Sequence, residues 1–119
     1  MKKVLNRGDI VLVPFPFTDL TSTKVRPAVV ISSDSINRKS GDIIVAFISS
    51  VAPPQIETAD FLITNSESDF KSTGLKTDSV FKMAKIATLS RSLMLRKIGE
   101  VSSRIRAELN ERLKRALDL

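Results

Sequence analysis

Apolar residues in this chain come in short unbroken runs divided by prolines and polar turns. Ile10 to Val13 is the first run, introduced by Gly8-Asp9 and interrupted by Pro14 and Pro16, which marks a strand end or a sheet edge. Thr18 to Val25 is polar and turn-like. Ala28 to Ser32 forms a second strand, opened by Pro27 at a permitted position, and Ser33 to Gly41 reads as a polar loop. Ile43 to Ile48 is a third strand, ended by Pro53-Pro54, and Phe61 to Ile63 a fourth. Val80 to Met83, Ile86 to Leu89 and Leu93 to Leu95 are the fifth, sixth and seventh candidates. Short strands at this spacing predict a small sandwich or barrel. The last segment changes period. Between Ser103 and Leu119, Ile105, Leu109, Leu113, Ala116 and Leu117 share one helical face, with Ser102 or Ser103 able to cap its start. The expected class is therefore mainly β with an appended C-terminal helix, in one domain spanning residues 1–119.

Composition narrows the chemistry. Of 119 residues, 42% are hydrophobic and 27% charged, which suits one buried core and argues against disorder. Cysteine and histidine are both absent. That excludes disulfides, thiolate metal sites and thiol nucleophiles, and removes the commonest general acid/base. Catalysis, if present, runs on Arg, Lys, Asp, Glu, Ser, Thr or backbone groups. Net charge is +6 and the pI is about 10.0. The second half carries most of it: residues 61–119 hold 12 basic and 7 acidic side chains, against 7 and 6 in residues 1–60. Such an excess serves solubility or favours a polyanion, of which nucleic acid is the usual one. The longest charge-free run, Ile43 to Ile56, has 14 residues and two prolines, too short for the roughly 20 that a membrane span needs. Lys2 and Lys3 open the chain, but Arg7 and Asp9 break up any signal-peptide core, so the expected location is the cytoplasm.

Two places could carry chemistry. Arg26-Pro27 ends a polar stretch just before an apolar strand. Proline restrains the residue before it to extended backbone, and a guanidinium matches two phosphate oxygens at any relevant pH. A solvated loop arginine is the alternative. The second place is Phe47-Ile48-Ser49-Ser50, where paired hydroxyls follow a buried run and can meet a phosphate oxygen or merely cap the strand. Asp9, Asp19, Asp34 and Asp42 lie beside turns without recognised metal-ligand spacing, and the four glycines form no phosphate loop. Phe47 and Phe61 read as core, while Phe15 and Phe17 pack at a barrel mouth or stack on a base.

The run Arg7-Gly8-Asp9-Ile10-Val11-Leu12-Val13-Pro14-Phe15-Pro16-Phe17-Thr18-Asp19, followed by Arg26-Pro27-Ala28-Val29-Val30-Ile31-Ser32, resembles the N-terminal signature of the MazF/PemK family, toxins of type II toxin–antitoxin modules. Val45-Ala46-Phe47-Ile48-Ser49-Ser50, Thr73-Gly74-Leu75, Asp78-Ser79-Val80 and Ile86-Ala87-Thr88-Leu89 continue the likeness in order. The resemblance implies a small SH3-like β-barrel, a homodimer, and an mRNA interferase. Such an endoribonuclease cuts single-stranded RNA without a metal or other cofactor, leaving a 2′,3′-cyclic phosphate and a 5′-hydroxyl. It implies Arg26 and Ser49 as the catalytic pair, and the loop from Thr18 to Val25 as the substrate cover. The expected substrate-binding residues are Phe17, Thr18, Asp19, Thr21, Lys24, Pro27 and Ser50, in a groove between that loop and the loops at 33–41 and 51–57. An acidic antitoxin is the implied protein partner. Two departures stand out: Ser49 replaces the family's threonine, and Met83-Ala84-Lys85 stands where many relatives carry an aspartate. The competing expectations are a non-catalytic gyrase poison of the same fold, CcdB-like, and a degenerate barrel that only binds RNA.

Overall fold

A computed structural model describes residues 4–15, 24–50 and 55–119. Its elements in chain order are β1 (Asp9–Phe15), β2 (Lys24–Val30), α1 (Asp34–Lys39), β3 (Asp42–Ser49), β4 (Asp60–Ile63), β5 (Ser79–Ser90), β6 (Arg96–Glu100) and α2 (Ser103–Leu117). The six strands form one antiparallel sheet in the order β4-β5-β3-β2-β1-β6, curled into a half-barrel.

The curl follows from burial on both faces. Side chains alternate across a strand. On β1, Ile10 joins one apolar cluster while Val11 and Val13 join another; on β2, Val29 goes one way and Ala28 and Val30 the other. The first cluster gathers Ala46, Ile48, Phe61, Ile63, Phe81 and Met83 beneath Ile105 and Leu109 of α2. The second holds Ile43, Val45 and Phe47 with Leu5 and Met94. Strands buried on both faces read as continuous apolar runs rather than alternating ones, which is the pattern of Ile10 to Val13.

Several expectations are corrected. The fifth and sixth candidate strands are one 12-residue strand, β5. Ala46 pairs with Ile86 but Phe47 pairs with Lys82, so Met83, Ala84 and Lys85 have no opposite residue on β3. This bulge turns Met83 into the first cluster and lets one strand serve both halves of the curl. Leu93 to Leu95 is not a strand. Arg91–Leu93 is a 3-10 turn, and the sixth strand begins at Arg96. Lys24 and Val25, expected in a turn, start β2. The loop at 33–41 holds α1, six residues long. Ser33 caps it by accepting from the Ile36 N–H (3.1 Å), and buried Asn37 accepts from the Ser32 hydroxyl and donates to the Ser32 carbonyl (3.0 Å). The C-terminal helix stops at Leu117 rather than Leu119.

The Arg7-Gly8-Asp9 turn anchors the start of β1. Gly8 has φ of 96°, a conformation that suits glycine. Buried Asp9 accepts from the Asn6 N–H (2.9 Å) and pairs with Lys97 (3.2 Å). Arg7 donates its N–H to Asp34 of α1 (2.7 Å) and its guanidinium to Asn110 of α2 (2.6 Å).

The two ends of the curl meet through main chain. A Cβ on Gly74, at φ of 73°, would lie 2.0 Å from the Ile98 carbonyl oxygen, and one on Gly99 would lie 2.3 Å from the Thr73 carbonyl. Gly99→Ala is therefore expected to cost about 1–3 kcal/mol by overpacking. Gly74→Ala should cost at least as much, since left-handed backbone adds about 1–2 kcal/mol. Gly41→Ala, with nothing within 4 Å, should stay within about 0.5 kcal/mol of the parent. Urea midpoints for the three variants check this; equal values for Gly99→Ala and Gly41→Ala would contradict the close approach.

Candidate active site

The start of β2 and the end of β3 lie side by side at one end of the sheet. Arg26 pairs with Val13 of β1, and Ser49 ends β3 opposite Val80 of β5. The register that sets Ala28 across from Phe47 and Val29 across from Ala46, continued two residues outward, sets Arg26 across from Ser49. Directly opposed residues project to the same face. Both side chains are half-buried. Ser49 is hydrogen-bonded or otherwise engaged within the fold. The ion pairs among the described residues involve Lys97, Arg104, Arg112 and Lys114, and Arg26 is in none of them.

Pro27 explains why this end is open. The Gly8 N–H donates to Val30 O (2.8 Å) and the Ile31 N–H donates to Ile44 O (2.9 Å), so even-numbered residues of β2 turn their backbone toward β1 and odd-numbered ones toward β3. Pro27 falls in the odd set. The N–H it lacks is the one that would extend the ladder to β3, and that ladder ends at Ala28. Beyond it the two strands carry Arg26 and Ser49 without pairing to each other.

Lys24, at the first position of β2, is exposed, and so is Ser50, just past β3; Pro27 is half-buried opposite Leu12. Phe17, Thr18, Asp19 and Thr21 lie outside the described residues. The expected groove wall at 33–41 is not brought to this end. It follows the far end of β2 and precedes β3, at the opposite edge from Arg26 and Ser49 within one copy of the chain. Asp9 and Asp34 serve backbone N–H groups and a lysine. Among the described residues no three His, Cys, Asp or Glu side chains gather in one place. No described helix is long and apolar enough to cross a membrane.

Sequence reasoning missed one feature of this end. Pro27 and Ser50 border a cavity of about 440 Å³ whose far wall is the segment 74–77 and β6, with Lys76 and Arg96 on its rim. Only the basic excess of the second half hinted at these two cations.

Solved structures share this architecture. The MazE–MazF complex of Deinococcus radiodurans superposes with a TM-score of 0.75 at 22% identity, covering 98% of each chain. A mycobacterial endoribonuclease in complex with its cognate antitoxin reaches 0.78 at 18% identity, covering 97% of this chain and 96% of that one. These show the fold: a small half-barrel with a terminal helix. Endoribonuclease EndoA of Bacillus subtilis (strain 168) is 32% identical over 117 residues, 98% of this chain and 97% of the relative. The family model of the PemK-like, MazF-like toxins of type II toxin–antitoxin systems matches residues 6–117, and the chain belongs to that family.

The wall of the cavity is braced by charge. Arg104 of α2 donates to Asp69 through Nε (2.9 Å) and Nη2 (2.8 Å) and to Glu67 (2.7 Å). Ser102, the cap of α2, donates to Asp69 (2.6 Å). Asp69 is held well below the usual carboxylate range, first by the Arg104 hydrogen bonds and then by Ser102. Glu67 is lowered first by the Thr64 backbone N–H, with Arg104 adding to it. Both carboxyls bind their protons more weakly folded than unfolded. Their stabilisation is therefore complete above the ordinary carboxylate range and is lost as pH falls below about 4.5. The groups are half-buried at the surface, so the effect is modest and shrinks with salt. Urea midpoints should fall on acidification, and Asp69→Asn should flatten that fall at low salt. An unchanged acid slope in Asp69→Asn would show that other carboxylates carry it.

Proposed function

We propose that this chain is a sequence-specific endoribonuclease toxin that cuts single-stranded RNA, chiefly mRNA, by transesterification at Arg26 and Ser49. The observation that supports the reading is the β2–β3 register, whose continuation past the Ala28–Phe47 pair would set those two side chains on one face.

In the reaction the 2′-hydroxyl of the cut nucleotide loses its proton and its oxygen bonds to phosphorus. The P–O5′ bond then breaks and O5′ takes up a proton. A 2′,3′-cyclic phosphate and a 5′-hydroxyl result. Arg26 stabilises the extra negative charge of the phosphorane and faces the leaving oxygen; its permanent charge suits that role. Ser49 donates to a non-bridging oxygen. A serine gives the same hydrogen bond as the family's threonine without the methyl that restricts its rotamer. The guanidinium is a poor base, so the 2′ proton passes to Asp19, shortly before Arg26 in sequence, or to water. The residues do this without a metal.

The base sequence is read on unstacked base edges, and net +6 favours a polyanionic substrate. We assign an acidic antitoxin as the protein partner, a homodimer as the working unit and the cytoplasm as the location.

The purified chain in EDTA should cleave a long RNA at one short motif. Arg26→Ala should lower the rate by at least about 10²–10³, the worth of one fixed donor aimed at developing charge. Ser49→Ala should lose a comparable factor, and Ser49→Thr should keep or raise the rate. Primer extension maps the ends, and circular dichroism confirms the fold. Near-parental cleavage by Arg26→Ala would reject the assignment.

A further inference from the structure

The cavity behind Pro27 and Ser50 is built from parts that suit one kind of guest. Its floor is apolar, formed by Leu12 of β1, Leu75 and Ile98 of β6. Its rim carries Lys76 and Arg96, both exposed, and no carboxylate lines it among the described residues. Neither cation takes part in the ion pairs of the described residues. Their neighbour Lys97 contrasts with them. It turns to the opposite side of β6, where Asp9 lies 3.2 Å away and Glu100 3.9 Å away. The volume, about 440 Å³, lies in the range of small-molecule sites. The walls are stiff, since Gly74 and Gly99 lock the 74–77 segment to β6 through their main chains.

We propose that this cavity is a nucleotide pocket: one base of the RNA enters against Leu75 and Ile98, and its phosphate meets Arg96 and Lys76. The assignment rests on the nuclease reading for its RNA partner. Continuity supports it, because Pro27 and Ser50 on the near wall are the chain neighbours of Arg26 and Ser49. Arg26 and Pro27 project to opposite faces of β2, so the RNA rounds the open sheet end, with the cut phosphate on one face and the pocketed nucleotide on the other. Unstacked bases of a single strand settle on apolar and guanidinium surfaces, and the planar fork of arginine fits a phosphate. The pocket thus selects the base at one flanking position of the cleavage motif.

The test uses a 2′-O-methylated RNA decamer of mixed sequence, which this chemistry cannot cut, titrated into the full ¹⁵N-labelled chain. The amides of Leu75 to Thr77 and Arg96 to Ile98 should shift. The double variant Lys76→Ala/Arg96→Ala should bind about tenfold more weakly, with a salt dependence shallower by about 0.7 for each phosphate that is no longer neutralised. On cleavable RNA it should relax the preference at one flanking base. RNA binding without shifts at these amides, or equal affinity in the folded double variant, overturns the pocket even if cleavage at Arg26 is confirmed. Shifts there together with a parent chain that never cuts RNA would instead retain the pocket and remove the nuclease. A decameric glutamate peptide that shifts these amides where RNA does not would assign the cavity to a protein partner and overturn the proposal.

Discussion

A sheet that begins with β4 and ends with β6 has two edges, and what joins them is a place where two main chains touch. Thr73-Gly74 lies against Ile98-Gly99 so closely that neither glycine position has room for a Cβ. The close main-chain approach sits beside apolar packing, since Phe70 belongs to the first core cluster and Leu75 and Ile98 pack against it. It converts a bent sheet into a half-barrel, encloses the first core cluster beneath α2, and sets the far wall of the cavity at the open end. Arg104 holds the same segment from outside through Asp69 and Glu67. Closure and electrostatic bracing therefore act on one stretch of chain, 64–77, from its two sides.

At the opposite side of that opening the determining feature is a missing donor. Proline in a strand is costly where its N–H would have entered a ladder. Pro27 occupies such a position toward β3, yet it keeps β2 paired to β1 opposite Leu12. The strand stays in place while one ladder stops. Past that point Arg26 stays paired to Val13 of β1 and Ser49 to Val80 of β5, with no ladder between the two. Under the proposed function, a phosphodiester would meet donors carried on strands rather than on loops.

Much of this was legible in the chain, for identifiable reasons. The runs at Ile10, Ala28 and Ile43 were visible because both sheet faces are buried, which leaves no polar alternation to dilute them. The helical period from Ile105 to Leu117 stood out because α2 covers the sheet on one side only. The errors have equally physical causes. Met83-Ala84-Lys85 looked like a break between strands because a bulge interrupts pairing without interrupting the chain. The α1 helix was invisible because six residues with one exposed isoleucine carry no period; buried Asn37 and its bonds to Ser32 hold it. The cavity could not be read at all, since Leu12, Pro27, Lys76 and Arg96 come together only when the curl closes.

The residues that made the chain resemble its family divide by what they do. Arg7, Gly8 and Asp9 form a joint: Arg7 ties α1 to α2, Gly8 supplies a positive φ, and buried Asp9 satisfies a turn and Lys97. Any chain with this fold gains from that joint whether or not it cuts RNA. Arg26 is different. It is half-buried at the open end and takes part in no ion pair among the described residues. Likeness in the Arg-Gly-Asp stretch therefore speaks for the barrel, and likeness in the Arg-Pro pair bears on the proposed chemistry. The replacement of the family's threonine by Ser49 falls at the open end that the proposed function uses, whereas Met83-Ala84-Lys85 falls on the bulge that shapes the barrel.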